Sequence, residues 1–589
     1  MIKKYLPFLI FSLAILLAFI TRFYLLGKAP AGLYLDEAGQ GYSAYSILKT
    51  GKDEFGRSFP IVFRSFTDFK TPVYIYLIVP LIPIFGLTTF TVRFPSFFFS
   101  MLTFPVLYLL LEELIPQKEK KTHFLLSSIT CLLLAISPWH ILFGRTNFEC
   151  NVALFFFLTG CLFFYLAIGK TSSAYKSHRP KLLILSALFF AIALPAYHAQ
   201  RIVTPLMILI LIIRFRKTLF SKKYFKYIII AGTIGFIITL PTLSIATTPG
   251  FLARAGGLNI FTVKESAGFI ENYKGPFGFI INSKIFLSLQ EFGSLYVSYF
   301  SPREMFILGD SGPRSSFPEL ATFFVWQFPF YIYGLYLIVK KKELKELRFF
   351  VISFLLIAPI PAALTRDPYS TIRSLQMVIP LNILIALSIV EIYNKISKAC
   401  GTSSVKNKNY KFIFWLTFIF VIIYSLLKLY SSVIILNEHY RGEDWDYGWQ
   451  QATNIIKTFT SQSDGYSQNL PIVVDNSRNE PYIQLAFFLK ADPVIYQKEN
   501  FEVPLNEYYT NMTRNKNKII EVPNGNKITT RPIDWQHDLL VKQYLIGDEL
   551  AISLQQIKEH NLTLIKQINY PDGDVDLRIV ETNPKTLKH

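Results

Sequence analysis

The chain has 589 residues, 51% of them hydrophobic and 16% aromatic, with only 17% charged and a mean hydropathy of +0.35. A set of soluble domains of this length carries more charge and does not gather its apolar residues into runs near membrane-spanning length, so the chain reads as a polytopic membrane protein. The net charge of +20 does not imply nucleic acid, because Lys and Arg cluster in short loops between apolar runs, as cytoplasmic membrane loops do.

In chain order, apolar runs fall near 5–26, 72–88, 93–112, 123–143, 151–169, 181–196, 200–214, 225–247, 318–340, 348–365, 374–396 and 411–432. The first follows Lys3 and Lys4 and is too long for a signal-peptide core, so it is expected to stay as an uncleaved helix. Loops rich in Lys and Arg lie at 112–122, 170–181, 214–226, 340–348 and 395–411, and all five are expected inside. If all twelve runs crossed, a cytoplasmic N-terminus would put every one of these loops outside. One early run must therefore fail to cross. The choice falls on 72–88, the shortest early run, which holds Pro72, Pro80 and Pro83 and reads as a juxtamembrane segment.

Eleven spans remain, over a membrane domain of residues 1–432, with a first outer loop at 27–92 and a capping loop at 248–317 that carries Arg254, Glu265 and Arg303. Residues 433–589 return to soluble composition. There "LPIVVDNS" reads as a strand into a loop, "PYIQLAFFLK" as a helix, and "LIKQINYPDGDVDLRIVE" as a hairpin around Pro-Asp-Gly, giving a small extracytoplasmic α/β domain for which a Rossmann-like core is one option. Cys131, Cys150, Cys161 and Cys400 lie in or near apolar runs and read as small hydrophobes.

Ionisable groups collect at the outer ends of the spans: Asp36, Glu37, Lys70, Arg93, Arg145, Glu149, His198, Arg201, Arg366, Asp367 and Arg373. Charges at a membrane boundary face a cavity or each other. In such a pocket a carboxylate can take the proton of an attacking hydroxyl, while Lys or Arg holds a phosphate whose charge grows as it leaves. That chemistry suits glycosyl transfer from a lipid phosphate and needs no nucleotide-binding glycine loop.

The motifs "LYLDEAGQGYSAYSILKTG", "DEFGRSFP", "DFKTPVYIYL", "FGLTTFTVRFPS", "SPWHILFGRTNFECNVALFF" and "IRSLQMVIPLNILIALS" resemble the integral-membrane GT-C glycosyltransferases. They are most similar to the group holding the protein O-mannosyltransferases, the lipid A aminoarabinose transferase and bacterial relatives acting on lipopolysaccharide. The resemblance covers residues 1 to about 400. It implies a GT-C fold with juxtamembrane helices in the first outer loop, beside the about 11 transmembrane helices that loop charge gives, a polyprenyl-phosphate sugar donor, inversion at the anomeric carbon, and a site at the extracytoplasmic membrane face; the composition and the lack of a eukaryotic retention signal point to a bacterial plasma membrane.

Asp36 matches the group's catalytic aspartate and is expected to activate the acceptor hydroxyl; as a bare residue it would be a solvated loop acid. Glu37, some 100° away on a helix, would bind the acceptor or orient a cation. Lys70 is assigned to the donor phosphate or, alternatively, to the interface, with Asp68 available as its ion-pair partner. Arg93 resembles the arginine that opens the second span, or is a helix-end anchor. Arg145 and Glu149 supply a second basic and acidic pair, with Glu where many relatives carry Asp; a simple i, i+4 pair is the other reading. Tyr197 would offer an aromatic surface, His198 a ligand contact or a satisfied buried ring, and Arg201 a contact to phosphate or sugar hydroxyls. Arg373 is preferred over Arg366 for bidentate phosphate contact, although Ser374 stands where relatives often place an aromatic residue.

No zinc spacing is present. A divalent ion between Asp36 and Glu149 is conceivable in the wider superfamily, and no cofactor is expected. The expected partners are the polyprenyl-phosphate sugar, a lipid-linked glycan, envelope polymer or protein acceptor, and the bilayer, with no nucleic acid. The competing readings are a glycan ligase or polymerase, and a lipid-sugar transporter, which would predict two similar halves.

Overall fold

The computed structural model describes residues 2–66, 68–116, 120–169, 179–249, 275–281, 283–365, 367–399, 405–460, 470–522 and 526–584. The chain begins with α1 (Ile2–Phe23), α2 (Leu35–Thr50), the hairpin β1 (Phe63–Ser65) and β2 (Asp68–Lys70), α3 (Pro72–Ile78) and α4 (Ile82–Phe85). It continues through α5 (Thr89–Leu114), α6 (Lys120–Ala135), α7 (Pro138–Arg145), α8 (Glu149–Ile168), α9 (Leu182–Ala196), α10 (Gln200–Leu219) and α11 (Lys222–Ser244). The later apolar helices are Phe328–Lys340, Lys345–Ile357 with Ile360–Leu364, Val378–Ala399 and Val405–Tyr430.

Every one of the eleven runs expected to cross is thus helical. Among the described residues seven helices are long and apolar enough to span a membrane on their own, and an eighth results if the pair α6 and α7 is one span bent by 61°. The protein is a polytopic helical membrane protein. The run at 72–88 is different: α3, a 3-10 turn at Val79–Leu81 and α4 share only 14 residues, Pro72–Phe85, which at 1.5 Å per residue reach about 21 Å and fall short of a hydrocarbon core of about 30 Å. The run at 318–340 becomes helical only from Val325. Glu319 takes a left-handed φ of 56° behind Pro318, and the Gln327 side chain accepts the Phe324 N–H at 2.9 Å to start the helix.

By packing the described chain falls into two units: residues 1–24, 96–247 and 252–432, and residues 25–95, 248–251 and 433–589. The second unit gathers the first outer loop, expected within the membrane domain 1–432, with the C-terminal segment that begins at Val433.

Within the first unit, Arg22 at the end of α1 is fully buried. It donates to the carbonyls of Leu134 (3.0 Å) and Ala135 (2.9 Å) and to Ser100 Oγ (2.9 Å), and it meets His140 Nδ1 at 2.8 Å. These carbonyls lie at the C-terminal end of α6, where the helix ladder has run out: Leu134 also accepts the Ser137 N–H at 3.2 Å, and beyond it Ser137 is extended and Pro138 opens α7. A cation at that end also meets the negative pole of the helix.

The second unit contains a six-stranded sheet in the order β4-β5-β3-β6-β8-β7, from β3 (Ile472–Val474), β4 (Lys518–Glu521), β5 (Lys527–Thr530), β6 (Tyr544–Gly547), β7 (Thr563–Asn569) and β8 (Val575–Glu581). Only β5, β3 and β6 run parallel; β4, β8 and β7 join antiparallel. The expected strand at 472–474, the helix Pro481–Leu489 and the hairpin about Pro571-Asp572-Gly573 are all present. Val473, Leu545, Ile552, Leu562 and Val580 form the core on one face.

Candidate active site

The N-terminal turn of α2 presents the two adjacent carboxylates. Leu35 opens the helix, so Asp36 and Glu37 fall in a first turn whose N–H groups have no helical partner and whose dipole favours negative charge. Glu37 turns back and accepts the Tyr34 N–H at 3.3 Å, tying the chain to the helix it enters.

The two acids then part ways. Glu37 is fully buried and takes two bonds from Arg93, Nε to Oε1 at 3.0 Å and Nη2 to Oε2 at 2.7 Å. Arg93 spends its other donors on the carbonyls of Pro30 (2.9 Å) and Gly32 (2.8 Å), and its guanidinium lies 5.6 Å from the Trp445 ring. This geometry makes Arg93 the clasp of residues 30–37. Asp36 keeps 21% of its side chain exposed and accepts from Lys70 Nζ at 2.7 Å. Asp68 pairs by register with Ser65 in the hairpin, while Lys70, the last residue of β2, pairs with Phe63. Pro72 at the start of α3 stops the hairpin and begins the helix, and Tyr74 reaches back to donate to the Val92 carbonyl at 3.1 Å. The Lys70 and Arg93 segments are thus fastened to one another. A partly exposed carboxylate beside a nearly buried ammonium is the local arrangement a base and an anion contact require.

The back of α2 is covered by the C-terminal segment. A Cβ at Gly41 would stand 2.6 Å from Phe487 and 2.7 Å from Val92, so this helix carries glycine where two neighbours approach. The loop after α2 is sealed by Asp53, whose Oδ1 accepts the N–H groups of Phe55 (3.0 Å) and Arg57 (2.8 Å) while Tyr508 donates to its other oxygen. Burial nevertheless pushes the Asp53 carboxyl up to about 6. Its neighbour Glu54 is raised well above the carboxylate range, first by burial and then by Asp53.

The remaining candidates lie in the first unit. Arg145 ends α7, is buried, and donates Nη1 to the Thr21 carbonyl at 2.9 Å. Glu149 opens α8 and is buried. Tyr197 is the extended residue that ends α9 and packs edge-on to His198, ring centroids 6.3 Å apart; Arg201 stands in the first turn of α10. Arg373 binds Thr365 Oγ1 and Asp367 Oδ2, each at 2.8 Å. Arg366, Arg254 and Glu265 lie outside the described residues, and Arg303 is exposed ahead of the turn Glu304–Leu308. Among the described residues no three His, Cys, Asp or Glu side chains converge as a metal site.

Sequence reasoning missed Arg22 and Asp310. The Asp310 carboxylate accepts from the Thr371 N–H (2.7 Å), the Thr371 hydroxyl (2.8 Å) and the Gly312 N–H (2.8 Å), and nothing in its local sequence announces a partner some sixty residues away.

Residues 69–245 match the family model described as dolichyl-phosphate-mannose-protein mannosyltransferase. The span contains Lys70, Arg93, Arg145, Glu149, Tyr197, His198 and Arg201, and it stops short of Asp36, Glu37 and Arg373. The resemblance to this group of glycosyltransferases is therefore found by a comparison independent of the loop-one motif. A comparison with curated proteins found no match. Similar solved structures include ArnT from Cupriavidus metallidurans in the apo state, with 11% identity, 98% of each chain covered and a TM-score of 0.49. The same protein bound to undecaprenyl phosphate gives 10%, 98% of each chain and 0.48. The archaeal oligosaccharyltransferase AglB from Archaeoglobus fulgidus, in complex with an inhibitory peptide and a dolichol-phosphate, gives 13%, 100% of this chain, 75% of that one, and 0.49.

Proposed function

We propose that this protein is an inverting glycosyltransferase that moves a single sugar from a polyprenyl phosphate to an acceptor hydroxyl on the extracytoplasmic side of a bacterial plasma membrane. The observation that carries the reading is the Asp36–Lys70 pair at the open end of α2, 2.7 Å apart, in a loop that loop-charge parity puts outside. Asp36 takes the proton as the acceptor oxygen attacks the anomeric carbon from the face opposite the phosphate. The bond from that carbon to the phosphate oxygen breaks, and the electron pair leaves with the phosphate. Lys70 exchanges its contact with Asp36 for one with the departing phosphate, which frees the carboxylate as base and neutralises the growing charge. Glu37 and Arg93 hold the loop that presents Asp36. Arg145, Glu149, Tyr197, His198, Arg201 and Arg373 serve the sugar, the phosphate or the acceptor.

The test offers purified full-length protein a panel of polyprenyl-phosphate sugars and follows donor consumption, with Asp36→Asn as control. The expected outcome is turnover of at least one donor and a fall of about 10²–10⁴-fold in the variant. No consumption of any donor, or wild-type turnover by Asp36→Asn, overturns the reading.

A further inference from the structure

Two side chains of the C-terminal segment grip the backbone on either side of Tyr34. Asp446 Oδ2 accepts the Leu35 N–H at 2.8 Å, and Gln484 Nε2 donates to the Leu33 carbonyl at 2.6 Å and to the same Asp446 oxygen at 3.2 Å. Leu35 is the first residue of α2 and Asp36 the second, so the grip ends one residue from the expected base. Gln484 is buried on Pro481–Leu489, the helix that packs along α2. Asp446 closes the short turn Glu443–Trp445 in a left-handed conformation, φ 53° and ψ 49°, which lets its carboxylate reach the N-terminal turn of α2. The approach is close enough that Gly32, at φ +96°, has no room for a side chain: a Cβ there would lie 2.1 Å from the Trp445 carbonyl oxygen.

We propose that Asp446 and Gln484 are positioning residues for Asp36, giving the C-terminal segment a part in the reaction. This rests on the transferase reading above. Asp446 accepts the Leu35 N–H, one of the N-terminal donors that the helix itself leaves without a partner, and its charge sits favourably at the positive end of the helix. With both bonds in place the first turn of α2 is fixed at its N–H and at the carbonyl before it, so the Asp36 carboxylate keeps one direction towards the acceptor. Without them that turn frays and the carboxylate samples positions from which proton transfer is slow. A displacement of about 1 Å is enough to cost about 10²-fold in rate.

The experiment uses full-length protein in detergent and three variants: Asp446→Ala, Gln484→Met and the conservative Asp446→Asn. Hydrogen exchange of a peptide spanning residues 33–38 is followed beside one spanning 575–581 in the sheet, and kcat and KM are measured with the best donor of the panel. Asp446→Ala is expected to speed exchange at 33–38 about tenfold while exchange at 575–581 keeps its rate. Its kcat falls about tenfold to a hundredfold at unchanged KM. Gln484→Met moves both readouts the same way by less. Asp446→Asn, which keeps an acceptor and tolerates the left-handed backbone, restores most of kcat. Unchanged exchange at 33–38 in Asp446→Ala overturns the grip, whatever the activity. Faster exchange with wild-type kcat overturns the positioning role. A wild-type protein that consumes no donor refutes the transferase reading and this role with it.

Discussion

Replacing Arg93 by Met removes a guanidinium from a site with no solvent and leaves most of the side-chain length in place. Two oxygens of Glu37 lose partners at 3.0 and 2.7 Å, and the carbonyls of Pro30 and Gly32 lose theirs at 2.9 and 2.8 Å. Because Glu37 is 0% exposed, no water takes over, and breaking one side of such a pair costs about 3–5 kcal/mol. Each stranded carbonyl adds about 1 kcal/mol or more if it stays dry. At about 2–4 °C per kcal/mol for a unit of 150–250 residues, the melting temperature should fall by at least roughly 6 °C, read by size-exclusion recovery after heat steps in detergent. Arg93→Lys should rescue little, since an ammonium cannot make the two-pronged contact. The double variant Arg93→Met, Glu37→Met should recover much of the loss, because the uncompensated charge is gone. A single Arg93→Met that melts within about 1 °C of wild type, or a double variant no better than the single, would show that the pair does not hold this loop.

Two further outcomes follow from the same unit. Gly32→Ala should lower stability by about 1–3 kcal/mol from backbone strain alone at φ +96°, with the clash against Trp445 in addition, and limited proteolysis of loop 25–60 should quicken; wild-type resistance would refute the close approach. The pH dependence of stability should carry the mark of Asp53, whose carboxyl rises from 3.8 to about 6 on burial. A raised folded-state value means the native protein holds the proton longer, so this contribution is full below about pH 4 and is lost as pH climbs through about 6, roughly 3 kcal/mol in all. Melting curves of wild type should therefore fall relative to Asp53→Asn over that window, and a difference that stays flat from pH 4 to 7 would refute the assignment.

The elements that hydropathy and local chemistry dictate were legible. Runs of apolar residues forecast the helices, prolines together with loop charge singled out 72–88 before any geometry was known, and Pro-Asp-Gly forecast the last hairpin. What escaped was every partnership across a long sequence separation. Arg93 was read for its place at a helix start, and nothing near it says that its charge is spent on Glu37, 56 residues earlier. Arg22 drew no reading at all, because its carbonyl partners lie more than a hundred residues on. Asp68 seemed the natural partner of Lys70, yet in an extended strand residues two apart follow the same face without closing a short contact, and the hairpin instead delivers Lys70 to Asp36.

The same limit explains why the C-terminal segment could be described from sequence, with acceptor binding or stability as its expected task, and still be given no partner in loop one. Its strands and helices are ordinary, and Asp446 lies in a polar stretch where an acid draws no notice. Only the fold shows that this acid ends 411 residues of chain at the N–H of Leu35. A short helix of small residues, "EAGQGYSA", has little hydrophobic surface of its own to fix it, and at 16 residues it would be marginal in isolation. Its stability must come from what packs on it, and in the second unit that is the C-terminal helix Pro481–Leu489, with Phe487 against Gly41 and Gln484 at its head. The helix that bears the expected base therefore draws part of its stability from the C-terminal segment packed on it, which ties the competence of loop one to the integrity of a segment that carries none of the expected catalytic residues.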